Sequence, residues 1–472
     1  MTETFTKTFK TIPEQVELLR SRGMEIPDES SATRILETVG YYRLSGYWYP
    51  YRKRRPVPTA DPKVLPGYEA MDEFASGTTL EQVVRLYEFD RKLKLLVLDA
   101  IERIEVAMRM RIGHALGQGH PFAHCDMHAL GSGFTAVENH DDPLHRLQWL
   151  SSDHSAWLGN VRRLETSSKE EFVKHYQAKY GHTLPVWVVT EILTFGGLSK
   201  LYEGLKPKHR DEIAESFGIM KGSRGDGAAL ASWMTTLNYI RNTCAHHARL
   251  WNKNIAVQVG QIALIDELKH ADHSKQRVYA ALAVLAFLIV RTNPESTWRQ
   301  DIADYVQKGL KAIGQPESKI GCPAGWEKES IWDPGYLPPA DPYPAEHRAL
   351  RREFETVGAS DVGLVLAPTS EPRSRTSIVR RERSAGRLLG LKLGEAFDYP
   401  VFQLEKGQSR IHPVAAYANH KLNAADDPWG VARWWVNADV RLNGRTPLND
   451  LESGLLTEAV VDILSGPNGP DA

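Results

Sequence analysis

Apolar residues recur at helical spacing through most of the first three hundred positions. Between Thr79 and Leu116, Val83, Val84, Leu86, Leu95, Leu96, Ile101, Ile104 and Val106 return every three or four residues among charged ones, which predicts one long helix or two joined. A helix over 12–23, stopped by Gly23, and a second short one beginning at 31–37 predict a helical hairpin at the start of the chain. Further helices are predicted over 154–165, 185–205 and 227–250. The run from Val278 to Val290 is bracketed by Arg277 and Arg291 and falls short of the roughly 20 residues a membrane helix needs. It predicts a buried helix.

The pattern lapses twice. In 41–55, YYRLSGYWYPYRKRR, tyrosines and Trp48 alternate with arginines and lysines around Gly46 and Pro50, which reads as loop or short extended structure. Residues 315–345 are dense in proline, glycine and acidic residues and read as a linker. Beyond it lies an arginine-rich stretch, then helices near 427–435 and 456–464. The expectation is a mainly α protein: a helical bundle over 1–314, a linker over 315–345 and a smaller, mostly helical module over 346–472.

Composition narrows the chemistry. Apolar and charged fractions of 42% and 25% are near globular averages, and a mean hydropathy of -0.39 argues against a membrane protein. The start, MTETFTKTFK, has no apolar core and does not read as a secretory signal. A formal net charge of -1 removes any argument for nucleic-acid binding from bulk electrostatics, so an RNA site has to be local. Cys125, Cys244 and Cys322 form no CxxC pair, which disfavours a disulfide framework or a cysteine-rich zinc site and fits a reducing cytoplasm.

The informative string is YIRNTCAHHARLWN, Tyr239 to Asn252, which concentrates Arg241, Asn242, His246, His247 and Arg249 at the end of a predicted helix. Asn242 and His246 are i and i+4 and share a face. Arg241 and His246 are i and i+5, about 140° apart on an ideal helix, and need a distorted turn or a second chain to converge. The set suits RNA transesterification, in which the 2′-OH attacks its own phosphodiester and only proton transfer and charge stabilisation are required. An imidazole, with an unperturbed pKa of about 6.5, carries the proton, and a guanidinium holds the phosphorane charge bidentately. DNA lacks the nucleophile. No metal and no cofactor are needed.

Arginine, a polar residue, and histidine after four to six positions resembles the signature of the HEPN superfamily of ribonucleases and RNA-binding helical bundles. The fuller string resembles the AbiD/AbiF-type abortive-infection family. YYRLSGYWYPYR (Tyr41 to Arg52), LYEFDRKLKLLVLDAIERIEVAMR (Leu86 to Arg109) and LPVWVVTEILTFGGLSKLY (Leu184 to Tyr202) support it in the same order. The resemblance implies a HEPN bundle with Arg241 and His246 as the catalytic pair, Asn242 orienting them and His247 also at the right spacing. It implies a homodimer bringing two motifs to one cleft, a role in phage defence, and a small noncoding RNA as regulator.

Other residues carry weaker signals. Glu102, Arg103, Glu105 and Arg109 either line the same cleft or are solvated ion pairs. Glu191, in an apolar helix, either finds a cationic partner, with Arg241 a candidate, or stays partly exposed. Arg43, Tyr47, Arg52, Arg54, Arg109 and Arg249 are RNA-binding candidates. The aromatic rings of 41–55 are suited to stacking bases, and a hydrophobic anchor with snorkelling arginines explains that stretch equally well. His124, Cys125 and His128 lack a second ligand cluster and do not support a zinc site. FGGLSK (Phe195 to Lys200) lacks phosphate-loop spacing and reads as a helix kink.

The last ninety or so residues resemble the toxin-binding domain of Xre/MbcA/ParS-type antitoxins through YPVFQL (Tyr399 to Leu404), the helix with Trp429, Trp434 and Trp435, and LNGRTPLNDLESG (Leu442 to Gly454). That implies a binding or dimerisation module rather than catalysis. The alternative to a ribonuclease is a noncatalytic RNA-binding or assembly protein of a toxin-antitoxin-like defence system.

Overall fold

A single 38-residue helix, Leu80–Gly117, organises the first part of the computed structural model. The structure describes residues 8–57, 67–142, 147–181, 183–221, 224–339, 345–393 and 396–466. The described chain is mainly α, as expected, with only small sheets. Among the described residues no helix is long and apolar enough to cross a membrane. The chain divides into two compact units, residues 1–219 with 225–338, and residues 220–224 with 339–472.

In the first unit, α1 (Ile12–Ser21) and α2 (Glu29–Thr38) form the expected hairpin, and α3 (Tyr41–Trp48) follows. The last is a correction. The stretch from Tyr41 is helical because Leu44, Tyr47 and Trp48, at i, i+3 and i+4, are all buried, and burial of one face outweighs the poor helix propensity of Gly46 and the aromatics. Only its end is extended, as β1 (Arg52–Val57) paired antiparallel with β2 (Gly67–Phe74).

The long helix α4 (Leu80–Gly117) starts with a capping box between Thr79 and Gln82. Its buried residues Val83, Leu86, Asp90, Leu93, Val97, Ala100 and Ile104 step by three and four, so one stripe faces the core along its length. Next come α5 (Asp153–Ser167), α6 (Glu171–Tyr180), α7 (Val186–Ile192), α8 (Phe195–Glu203), α9 (Pro207–Ser216) and α10 (Gly227–Ala245). The helix expected over 185–205 is broken at Leu193 and Thr194, where the threonine hydroxyl caps α8 by accepting the Gly197 N–H at 3.2 Å. Two glycines let α7 lie close on α4: a Cβ at Gly113 would sit 3.1 Å from Thr190 Oγ1 and 3.3 Å from Trp187 Cα. One at Gly117 would sit 3.1 Å from the Trp187 ring.

The apolar run forms α11 (Val278–Thr292), buried from Val278 through Val290. It is followed by α12 (Trp298–Ala312). The segment read as linker is packed into this unit as far as Pro338. Its prolines and glycines prevent long helices, but Ile320, Trp326, Ile331 and Trp332 bury their side chains, and Trp332 Nε1 donates to Tyr279 Oη at 3.0 Å. Arg299 ties it down further by donating to the Ile331 carbonyl at 2.7 Å.

The second unit has a three-stranded antiparallel sheet in which β5 (Ala396–Pro400) lies between β3 (Thr356–Val357) and β4 (Leu391–Leu393). Around it are α13 (Ala345–Arg352), α14 (Ala359–Leu366), α15 (Pro372–Ser384), α16 (Pro413–Lys421), α17 (Pro428–Val436), α18 (Pro447–Glu452) and α19 (Glu458–Leu464). Its core carries a satisfied polar network. Gln403, fully buried, exchanges two hydrogen bonds with the Leu389 backbone at 2.8 and 2.9 Å. It also accepts from Asn419 Nδ2 at 3.0 Å, while Asn419 Oδ1 accepts from Trp435 Nε1 at 2.9 Å.

Candidate functional site

Helix α10 begins where the Asp226 carboxylate accepts the Ala229 N–H at 2.9 Å. Leu230, Trp233, Met234, Leu237, Ile240 and Cys244 bury one face, which leaves Arg241 and Asn242 half-buried on another. The helix ends at Ala245, not at Leu250 as expected. His246 is its C-cap, and His247 takes the left-handed conformation with φ 58°. The His247 N–H bonds the Cys244 carbonyl at 3.0 Å and the Ala248 N–H bonds the Thr243 carbonyl at 2.9 Å, the two bonds of a Schellman motif. Glycine usually fills that position. A histidine there costs about 1 kcal/mol of backbone strain, which persists only where the surroundings impose it.

The surroundings do impose it. Asp90, wholly buried, accepts the Trp251 N–H at 2.7 Å, the Leu250 N–H at 3.1 Å and the Tyr47 hydroxyl at 2.7 Å. It is paired with buried Lys94 at 3.3 Å, and Lys94 also donates to the Ala248 carbonyl at 3.2 Å. From α3, Arg43 donates to the His247 carbonyl at 2.7 Å and Arg249 reaches back to the Gly46 carbonyl. Thus α3 and α4 clamp the turn carrying both histidines. The helix is regular from Arg241 to its cap at His246 and the left-handed residue comes only after it, so this turn does not close the i, i+5 separation between Arg241 and His246.

Arg241 donates to Asn242 Oδ1 at 3.1 Å and, among the described residues, lies within ion-pair distance of no carboxylate. Glu105 is the acidic group acting on it. Burial raises the Glu105 pKa, against the pull of Arg109 and Arg241, and Glu102 adds repulsion. Arg109 bonds Glu105 at 2.6 Å and the Leu193 carbonyl at 3.0 Å, with Glu191 at 3.8 Å. So Glu102, Glu105, Arg109 and Arg241 form one electrostatic cluster, while Arg103 pairs with Asp99 at the surface. Glu191 is half exposed, and its ion-pair partner is Arg109 rather than Arg241. Burial pushes the Cys244 thiol up to about 12, so it supplies no thiolate near neutral pH. His246 and His247 are both exposed.

The other candidates separate by burial. Tyr47 is in the core with its hydroxyl on Asp90, which corrects the expectation that it stacks a base. Arg52 is 3.5 Å from Asp72, and Arg109 and Arg249 are held by the contacts above. Arg43 and Arg54 are exposed, as is Tyr42, which is 92% accessible. His124 is buried beside Trp157, with its carbonyl 2.8 Å from His154 Nε2. Among the described residues no three histidine, cysteine or acidic side chains are grouped to hold a metal. Asp90 and Lys94 were missed by sequence reasoning. The signal was there: two charged residues four apart, on the stripe otherwise filled by Leu86, Leu93 and Val97.

Residues 34–252 match the family model for Abi-like protein. The match supports an abortive-infection family and, with it, a part in phage defence. The Abi-like region takes in Asp90, Lys94, Glu105, Arg109, Arg241, Asn242, His246 and His247, and ends one residue after Trp251, the last amide that Asp90 holds. No curated protein and no solved structure gives a significant match to the chain.

Proposed function

We propose that the Abi-like region is a HEPN-type endoribonuclease that cuts RNA without metal during phage defence. The observation that carries this reading is the end of α10: Arg241, outside ion-pair reach of any described carboxylate and oriented by Asn242, followed by exposed His246 and His247 in a strained turn clamped from α3 and α4. The 2′-oxygen attacks the adjacent phosphorus, the bond to O5′ breaks, and the products are a 2′,3′-cyclic phosphate and a 5′-OH. His246 takes the 2′-OH proton, and His247, also within the signature spacing, gives a proton to the departing O5′. Arg241 stabilises the charge on the phosphorane oxygens. Exposed Arg43, Arg54 and Tyr42 extend the surface on which RNA is held.

In this reading the active form is a homodimer with two such motifs in one cleft. A bound noncoding RNA or the second unit, an antitoxin-like binding module, restrains it in uninfected cells. Incubation of the full chain with end-labelled RNA in EDTA tests the central step. Cleavage to 2′,3′-cyclic ends by the parent, absent from Arg241→Ala and His246→Ala, is the expected result. Tight RNA retention without cleavage by all three proteins would instead make the protein a noncatalytic RNA-binding or assembly component.

A further inference from the structure

The second unit contains a cavity of about 450 Å³ whose wall is basic. Lys221, Arg224, Arg380 and Arg383 line it together with Phe397 and Tyr399. One carboxylate, Asp398, is also present, and it is already neutralised twice: Arg224 Nε is 3.3 Å from one oxygen and Arg351 Nε 2.9 Å from the other. Lys221, Arg380 and Arg383 have no carboxylate in ion-pair reach among the described residues. Three uncompensated cations around one concavity repel each other, and an anion between them relieves that cost.

Arg383 is built into place. Its guanidinium lies 3.6 Å over the Phe397 ring, and its Nε is buried without a hydrogen-bond partner. Gly390 makes room for it: a Cβ there would be 2.7 Å from Arg383 Cδ and 3.0 Å from Tyr399 Cε1.

We infer that this cavity binds a phosphorylated small molecule of nucleotide size. Guanidinium groups match phosphate oxygens in a planar, bidentate geometry. The volume lies within the roughly 300–1,000 Å³ of small-ligand pockets and leaves space for an organic body beside the phosphate. This inference is independent of the ribonuclease reading.

Titration calorimetry on the full chain tests it with AMP, adenosine, inorganic phosphate and a 5′-phosphorylated tetranucleotide. AMP is expected to bind saturably and adenosine not. Arg380→Glu and Lys221→Glu, at exposed positions where folding is not at stake, and Arg383→Met are each expected to weaken AMP by about tenfold or more. Arg241→Ala should bind AMP like the parent. The inference is overturned by no saturable AMP binding, by adenosine binding as well as AMP, or by exposed-site variants that bind like the parent. Inorganic phosphate binding as tightly as AMP would reduce the site to a bare anion site, and tighter binding of the tetranucleotide would assign it to an RNA end; either result overturns the small-molecule assignment.

Discussion

The Asp90 carboxylate accepts the backbone N–H of Trp251 at 2.7 Å across 161 positions of sequence. That bond, with those to Leu250, Tyr47 and Lys94, decides where the chain goes after His247. The candidate catalytic residues therefore depend on a residue that touches none of the proposed chemistry.

Asp90→Ala strips two backbone amides and the Tyr47 hydroxyl of their acceptor and leaves the Lys94 ammonium buried and unpaired. A loss of about 3–5 kcal/mol in urea unfolding is expected. Asp90→Asn keeps an acceptor oxygen but also strands Lys94, so it should be destabilised too. Parental stability in both variants would show that the hub does not hold the turn.

Arg43→Ala removes the 2.7 Å bond to the His247 carbonyl. Global stability should change by about 1 kcal/mol or less, while hydrogen exchange of the amides over 246–250 should accelerate. Unchanged exchange there would place the control of the turn entirely with Asp90 and Lys94.

Gly113→Ala puts a Cβ 3.3 Å from the Trp187 backbone, and α7 has to move to admit it. A destabilisation of about 1–3 kcal/mol is expected from overpacking, together with loosening of the Arg109 contacts to Leu193 and Glu191. Thermal unfolding checks the first part. Exchange protection over 190–195 checks the second.

Burial, with help from His154, lowers the His124 pKa to about 4 from the ordinary imidazole value of 6.5. Between those values the unfolded chain binds more protons than the folded one. Stability is therefore intact above pH 6.5 and falls as the pH drops towards 4, by up to about 3 kcal/mol. His124→Phe keeps a ring near Trp157 and removes the titration. Stability measured from pH 7 to 4 should be flatter in the variant by that amount, and equal slopes would dismiss His124 as the source.

Asn419→Leu in the second unit leaves Trp435 Nε1 without its acceptor and Gln403 Oε1 without one donor. The Gln403 oxygen keeps the Leu389 N–H, so the cost is that of the stranded indole N–H, about 1–3 kcal/mol. Followed by tryptophan fluorescence, the loss should be confined to the transition of this unit, and a parental transition would show that the network adds no stability.

Much was written locally. The three-and-four spacing along α4 and the uninterrupted apolar run of α11 are properties of neighbouring residues, and a 3.6-residue period shows in any window that contains it. The same holds for the cluster of Arg241, Asn242, His246 and His247, whose chemistry is evident from residue type and spacing. What needed the tertiary structure was where elements stop and what anchors them. Helix propensity continued α10 through His247 to Leu250, whereas hydrogen bonds from the Leu250 and Trp251 amides to Asp90 turned the chain aside. Aromatics and Gly46 made 41–48 look irregular until burial of Leu44, Tyr47 and Trp48 rewarded a helix. Prolines and glycines in 315–338 spoke for a linker, and buried Trp326 and Trp332 overruled them. In each case the deciding energy comes from a contact between residues far apart along the chain, and local periodicity carries no record of such a contact.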